Sequence, residues 1–195
     1  MQIDLDLLYS WGAITKEYKK NEVIFQEDTA AGYYYQILEG CVRMFNVNDK
    51  GKEFTQAYFW CGQSFGEPPL LIGKDYPATA VAFRDCKIIK LPKDSFLKVL
   101  EEYPFIQKHF LDLLANRIYQ KTKLAKDIIN QKPEFRIVAF LNSQKKCGSD
   151  EKMLVPFTRQ EIANFTGLRV ETVIRVFSRM KDSDKIEIVN HKIYY

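Results

Sequence analysis

An α+β chain in three parts is predicted: an antiparallel β domain, one long helix, and a small helical domain that ends in a hairpin. Three observations predict it. Short β-branched and aromatic runs broken by turns fill residues 21–92, apolar residues recur at three- to four-residue steps over 104–131, and short amphipathic helical stretches follow Pro133. The 195 residues suffice for a core without staples, and 46% hydrophobic with 28% charged residues excludes a disordered or fibrous chain. No apolar run approaches the ~18 residues of a membrane span. The start, Met1-Gln2-Ile3-Asp4-Leu5-Asp6, is acidic where a secretory leader is basic, so a cytoplasmic protein without a membrane partner is expected.

In order along the chain, strands are expected at 23–25, 33–38, 42–47, 54–60, 79–83 and 87–91, with turns at Glu39-Gly40, Asn48-Asp49-Lys50-Gly51 and Arg84-Asp85. Many short strands at regular spacing point to a closed or sandwiched antiparallel structure, residues 1–103. The long helix, 104–131, carries an apolar seam of Ile106, Phe110, Leu113, Leu114, Ile118, Leu124, Ala125 and Ile128. At about 1.5 Å per residue it spans about 40 Å. No other segment is as long, so a second copy of the chain is the expected partner, the alternative being that the helix lies on its own β domain. A hinge is expected at 130–133, where Pro133 interrupts the helical pattern.

The third part, 132–195, reads as helix, helix, helix, hairpin. Residues 134–143 form a helix with Phe135, Val138, Ala139 and Leu141 inward. Thr158-Arg159-Gln160-Glu161 is a capping box, in which hydroxyl and carboxylate satisfy each other's backbone donors. After the turn Thr166-Gly167-Leu168, a helix over 170–180 has Val173, Ile174, Phe177 and Met180 apolar. With strands at 185–189 and 192–195 around Asn190-His191, the arrangement is a winged helix-turn-helix.

Charge divides along the chain. Residues 1–103 hold 12 Lys/Arg against 15 Asp/Glu, a net of −3, and residues 104–195 hold 17 against 10, a net of +7. A basic back part suits a polyanion. On the helix from Val170, Glu171 and Arg175 are four apart and share a face. Arg can take guanine O6 and N7 bidentately and Glu can accept from cytosine N4, so double-stranded DNA is the expected partner. By spacing alone the pair would read as an i, i+4 ion pair. The helix-turn-helix context and the basic charge favour DNA.

The sequence resembles the Crp/Fnr family of bacterial transcription regulators. The resemblance rests on Thr158-Arg159-Gln160-Glu161-Ile162-Ala163, Gly167, Glu171-Thr172-Val173 and Arg175 at the back, and at the front on Tyr35-Gln36-Ile37-Leu38-Glu39-Gly40-Cys41-Val42, Lys50-Gly51-Lys52-Glu53 and Phe65-Gly66-Glu67. It runs from about Tyr18 to the C-terminus. It implies a cyclic-nucleotide-binding-like β-roll (a jelly roll), a dimerisation helix and a winged helix-turn-helix. It also implies that Glu171 and Arg175 read a TGA core within each half of an inverted repeat. Val170 stands where the cyclic-AMP branch has a guanine-reading Arg, and Ile174 where the Fnr branch has a Ser, so the first base is expected to be read as in neither. Arg169 replaces a capping Ser or Thr, worth ~1 kcal/mol, and is expected at phosphate. Arg159, Thr172 and Lys192 complete the expected DNA-binding set, with Lys181 and Lys185 as further phosphate candidates. The loop 145–152 is where the family contacts RNA polymerase.

The sensor pocket that the resemblance implies is degraded. Gly66-Glu67 open the phosphate cassette, but Pro68-Pro69 remove two backbone donors, and Pro77-Ala78 stand where cyclic-AMP binders have Arg-Ser. No cation replaces that Arg, and a buried phosphate without one is costly. Lys121 and Thr122 fall where the adenine would be met. Cyclic AMP and cyclic GMP are therefore not the expected ligands. No cofactor is expected either: residues 1–40 lack the Cys of iron–sulfur members, and His109 has the surroundings of an ordinary helix face. Cys41, Cys61, Cys86 and Cys147 form no C-x-x-C pair and read as reduced bystander thiols. An unidentified effector stays open, since the roll's many aromatics either line a pocket or form core. The alternative function is a ligand-binding module acting through protein contacts with a vestigial DNA helix. An enzyme is not expected, because no nucleophile–base pair, metal set or P-loop is present.

Overall fold

The computed structural model describes residues 2–129, 132–144, 153–189 and 192–195, with side chains through Lys123 and again from Lys132 within those spans. The chain divides into two compact units, Met1–Arg117 and Ile118–Tyr195.

In the first unit the elements are α1 (Leu5–Ser10), β1 (Ile14–Tyr18), β2 (Val23–Phe25), β3 (Tyr33–Glu39), β4 (Cys41–Val47), β5 (Glu53–Trp60), β6 (Ser64–Phe65), α2 (Glu67–Ile72), β7 (Thr79–Ala82), β8 (Cys86–Pro92), α3 (Lys93–Glu102) and the start of α4 (Pro104–Ile129). Two four-stranded antiparallel sheets result, ordered β1-β8-β3-β6 and β2-β7-β4-β5. All six expected strands form: β2 as predicted, β3, β4 and β5 one residue longer, β8 two longer and β7 one shorter. Strand alternation sends β3 side chains to two cores. Tyr35 and Ile37 turn inward to Phe25, Val42, Phe65, Tyr76, Ala80 and Ile88, contributed by both sheets and, for Tyr76, by the loop before β7. Tyr34 turns outward to Ile89, Leu91, Phe96, Ile106 and Phe110, beneath the helices. The Tyr34 ring stacks on Phe96 at 4.6 Å and meets Phe110 edge-on at 5.7 Å. Such pairs add ~0.5–1.5 kcal/mol each beyond buried area.

The long-helix expectation is met over Pro104–Ile129, 26 residues, or about 39 Å. Its seam divides. Ile106 and Phe110 are buried in the first unit's own core, so the helix begins by lying on its own β domain. Leu111 and Ile118, one heptad apart, are 68% and 67% exposed.

The second unit holds the rest of α4, then α5 (Pro133–Gln144), β9 (Leu154–Val155), α6 (Arg159–Thr166), α7 (Val170–Asp182), β10 (Glu187–Val189) and β11 (Lys192–Tyr194). The wing is a three-stranded sheet, β10-β11-β9, rather than a hairpin alone. Its core comprises Ile137, Phe140, Leu141, Val155, Phe157, Ile162, Val173, Val176, Phe177, Met180 and Ile193. One expectation is corrected here: Phe135 is 54% exposed, and Ile137 and Phe140 take the inward places. Both phases fit the apolar pattern of α5, and Phe157 and Phe165, which stand 5.2 and 4.6 Å from the Phe140 ring, select the second. The loop 145–152, the Asn190-His191 turn and the first two hinge residues lie outside the described residues. Among the described residues no helix is long and apolar enough to cross a membrane.

The β3–β4 turn depends on Gly40, whose φ is +93° and whose added Cβ would lie 2.3 Å from the Asp85 carbonyl oxygen. Gly51 also has positive φ, +73°, but faces open space. Gly51→Ala is expected to cost about 1–2 kcal/mol of left-handed strain, and Gly40→Ala clearly more, compared by denaturant unfolding of the two variants.

Candidate nucleic-acid interface and sensor pocket

The exposed side of the second unit is built by the capping box. The Thr158 hydroxyl accepts from the Glu161 N–H at 3.2 Å, and the Thr158 N–H donates to the Glu161 carboxylate at 2.7 Å. Gly167, at φ +70°, ends α6 in the left-handed conformation and turns the chain into α7. Val173, Val176, Phe177 and Met180 bury one side of α7. That fixes the other side outward: Arg169, Glu171 and Arg175 are exposed, and Val170 and Thr172 are half-buried at its edge.

Glu171 and Arg175 form no ion pair among the described residues, so the i, i+4 bridge that spacing alone suggests is not made. Ile174 is 53% exposed rather than core. Arg169 occupies the N-cap position of α7 and supplies no side-chain cap, as expected. Arg159 is half-buried at the first position of α6, and Lys192 is exposed on β11. Lys185 is held by Glu134 at 2.7 Å, and that contact keeps the Glu134 carboxyl below its ordinary range. Lys181 remains exposed.

In the first unit the residues expected to form a phosphate cassette are taken up by contacts within the protein. Gly66, at φ +78°, caps α2, and Pro68 and Pro69 sit at its start, where helix N–H groups lack partners in any case. Glu67 is fully buried. Its carboxylate accepts from the Ser64 hydroxyl on one oxygen and from Arg117 Nη1, at 2.9 Å, on the other. Arg117 Nη2 donates to the Ser64 carbonyl at 2.7 Å, and the guanidinium lies 5.3 Å from the Phe59 ring centre. A cation therefore stands beside the cassette, though not at Pro77-Ala78, where the sequence offers none. Arg117 was missed because its partner lies fifty residues away. Its charge is spent on Glu67. Beside them the Tyr34 hydroxyl donates to Gln36 at 2.7 Å, and burial next to the Glu67 charge raises its pKa well above the usual phenol value.

The inside of the roll is filled with rings. Phe25 stacks on Tyr76 at 3.7 Å and on Phe65 at 5.9 Å, and Tyr35 stacks on Phe65 at 5.2 Å. Pro77 is exposed, with its carbonyl accepting from Asn46 at 2.7 Å, while Ala78 is buried. Lys121 and Thr122 are exposed in the second unit, and the Thr122 hydroxyl donates to the Ile118 carbonyl at 3.0 Å. Burial beside Cys86 pushes the Cys41 thiol up to about 12, an unreactive state, and Cys147 lies outside the described residues. Among the described residues no group of His, Cys, Asp and Glu could hold a metal ion.

Removing one partner of a buried pair strands the other's charge, at about 3–5 kcal/mol. Arg117→Met should destabilise the protein by that order. The double variant with Glu67→Gln should recover a substantial part of the loss, read as coupling in urea unfolding of the four-member cycle.

Two family models match: the cyclic nucleotide-binding domain over residues 15–103 and the Crp-like helix-turn-helix domain over residues 135–194. The transcriptional activator protein Anr of Pseudomonas aeruginosa is 23% identical over 184 residues, 90% of this chain and 74% of that protein. The cyclic AMP receptor protein of Thermus thermophilus is 26% identical over 188 residues, 96% of this chain and 84% of that protein. Among solved structures, FixK2 of Bradyrhizobium japonicum aligns with a TM-score of 0.81 at 22% identity, covering 93% of this chain and 91% of that one. The c-di-GMP-responsive regulator CLP of Xanthomonas campestris also aligns at 0.81, with 18% identity, covering 97% and 96%. A β-roll followed by a long helix and a winged helix-turn-helix, matched by both family models, makes this chain a member of the Crp/Fnr family, a DNA-binding transcription regulator and not an enzyme.

Proposed function

We propose that the protein acts as a homodimer that reads an inverted repeat with TGA-containing half-sites, and does so without cyclic AMP. The observation that carries this reading is the outer side of α7. Glu171 and Arg175 are both exposed, a turn apart, and unpaired with each other, while the opposite side of the helix is locked into the core. Such a pair keeps its full hydrogen-bonding capacity for base edges. Val170 and Thr172 flank it. Arg159, Arg169 and Lys192 supply cations for phosphates, which set register rather than sequence preference.

Dimerisation is supported by α4. Leu111 and Ile118 are large, exposed and one heptad apart, with Ala115 and Thr122 on the same helical stripe. An apolar stripe on a long helix is stabilised by a like helix at coiled-coil spacing, and a two-fold dimer matches a palindromic site. The functional division is then 1–103 for sensing, 104–131 for dimerisation and 132–195 for DNA. RNA polymerase contact through 145–152 belongs to the same reading. Independence from cyclic AMP is supported by Pro77-Ala78, by the Glu67–Arg117 pair and by the ring-filled roll. One relative is named a cyclic AMP receptor; this chain lacks the Arg-Ser that such a phosphate needs.

Random-pool selection with the ligand-free protein should yield a TGA-containing inverted repeat. Calorimetric titration with cyclic AMP and cyclic GMP should give no saturable heat. Arg175→Ala should cost about 1–3 kcal/mol and relax one base position, whereas Lys192→Ala should weaken binding evenly across sequences and lower the salt slope by about 1. Absence of any salt-dependent DNA binding would favour the alternative, a regulatory module acting through protein contacts.

A further inference from the structure

The first unit has an open cavity of about 390 Å³ bounded by β2, by the loop that follows it and by the start of β3. That is room for a small organic molecule. Ser64, Glu67 and Arg117 do not line it, so it is separate from the cassette. Phe25, Tyr33, Tyr35 and Tyr76 supply aromatic walls, and Lys90 supplies a positive charge. The Phe25–Tyr76 stack makes one wall rigid, while Tyr33, 39% exposed, stands at the rim.

Lys90 has unusual company. Strand register sets Tyr35 opposite it on β3 and Ile14 opposite it on β1. Its ammonium lies 3.7 Å from the Tyr33 ring centre. No carboxylate comes within salt-bridge distance of it among the described residues. Its charged neighbour is another cation, Lys16, itself 4.5 Å from the Tyr18 ring centre. Burial and the Lys16 charge both lower the Lys90 pKa. Lys90, half-buried over the Tyr33 ring at the mouth, and exposed Lys16 over the Tyr18 ring have no carboxylate within salt-bridge distance among the described residues, which leaves an uncompensated positive site beside an aromatic wall.

We propose that this pocket binds a small organic anion, a carboxylate or phosphate on a ring-sized apolar body. Lys90, with Lys16 behind it, takes the anionic head, and Phe25, Tyr33 and Tyr76 take the body. Neither half of such a ligand would suffice. An isolated head would stay hydrated, and an uncharged body would leave the lysines unbalanced.

The test is calorimetric titration of the full chain with phenylacetate and with phenyl phosphate, which separate the two head groups. Benzyl alcohol and inorganic phosphate serve as body-only and head-only probes. At least one aromatic anion should saturate, at least ten-fold more tightly than either control. Lys90→Met, which keeps the apolar stem over Tyr33, should weaken that binding at least ten-fold with an unchanged melting temperature. Lys16→Met should weaken it a few-fold, and Lys98→Met, on the exposed side of α3, should leave it unchanged. The proposal is overturned if neither aromatic anion saturates at millimolar concentration, if inorganic phosphate binds as tightly as phenyl phosphate, or if Lys90→Met binds like the parent.

Discussion

A carboxylate out of water must be met by charge and hydrogen bonds, or folding loses several kcal/mol. Glu67 is such a group, and meeting its needs organises the first unit. One oxygen is satisfied locally, by Ser64 three residues earlier. The other is met by the guanidinium of Arg117, on α4. The fork of the same guanidinium also takes the Ser64 carbonyl, so β6, the start of α2 and α4 are fixed to one another by a single side chain. A lysine, whose donors radiate from one atom, would lack the fixed planar fork that makes both contacts at once. The same stretch of α4 seats Ile106 and Phe110 on Tyr34 and Phe96, so polar and apolar contacts agree on one position for the helix.

The legible part of this fold was the part set by local pattern. The runs of β3, β4, β5 and β8 are rich in β-branched and aromatic residues, and their strands formed nearly where the sequence placed them. β1 escaped because Ile14–Tyr18 is an edge strand with four exposed residues and a polar middle, Thr-Lys-Glu. α3 escaped because its N-cap is Pro92, which offers no side-chain cap to signal a start. The capping box and Gly167 needed no tertiary partner to be read, and α6 and α7 followed from them. Phe135 shows the limit of periodicity: α5 is apolar in two phases, and only the neighbours across the core choose one. Arg117 shows the same limit for charge, since nothing near it in sequence asks for a carboxylate.

The winged helix-turn-helix divides its work between two sides of α7. Val173, Val176, Phe177 and Met180 resist displacement because each is fully enclosed. That rigidity is what gives the outer residues a defined direction. Glu171 and Arg175 pairing with each other would gain only ~0.2–0.5 kcal/mol on an exposed helix. So little stands in the way of exchanging that contact for base edges that an open, unpaired arrangement fits a reading surface. Arg169 follows the same logic: a capping Ser would stabilise the helix, while an Arg leaves the first turn less stable and more attractive to an anion.

The filled roll changes what sensing can mean for this chain. In a roll whose interior is Phe25, Tyr35, Phe65 and Tyr76 in mutual contact, a ligand cannot enter the centre without separating stacked rings and opening space beside Gly66, where even a methyl group would meet Tyr76 at 3.2 Å and Phe25 at 3.3 Å. The accessible approach is from the mouth, where Phe25 and Tyr76 present their outer sides to the cavity holding Lys90. Phe25 is thus shared between mouth and interior. It packs on Phe65, Phe65 packs on Phe59, and Phe59 lies beneath the guanidinium that holds Glu67. Close-packed rings have few alternative arrangements. Phe25 thus joins the mouth to a continuous series of ring contacts that ends beside the Glu67–Arg117 pair.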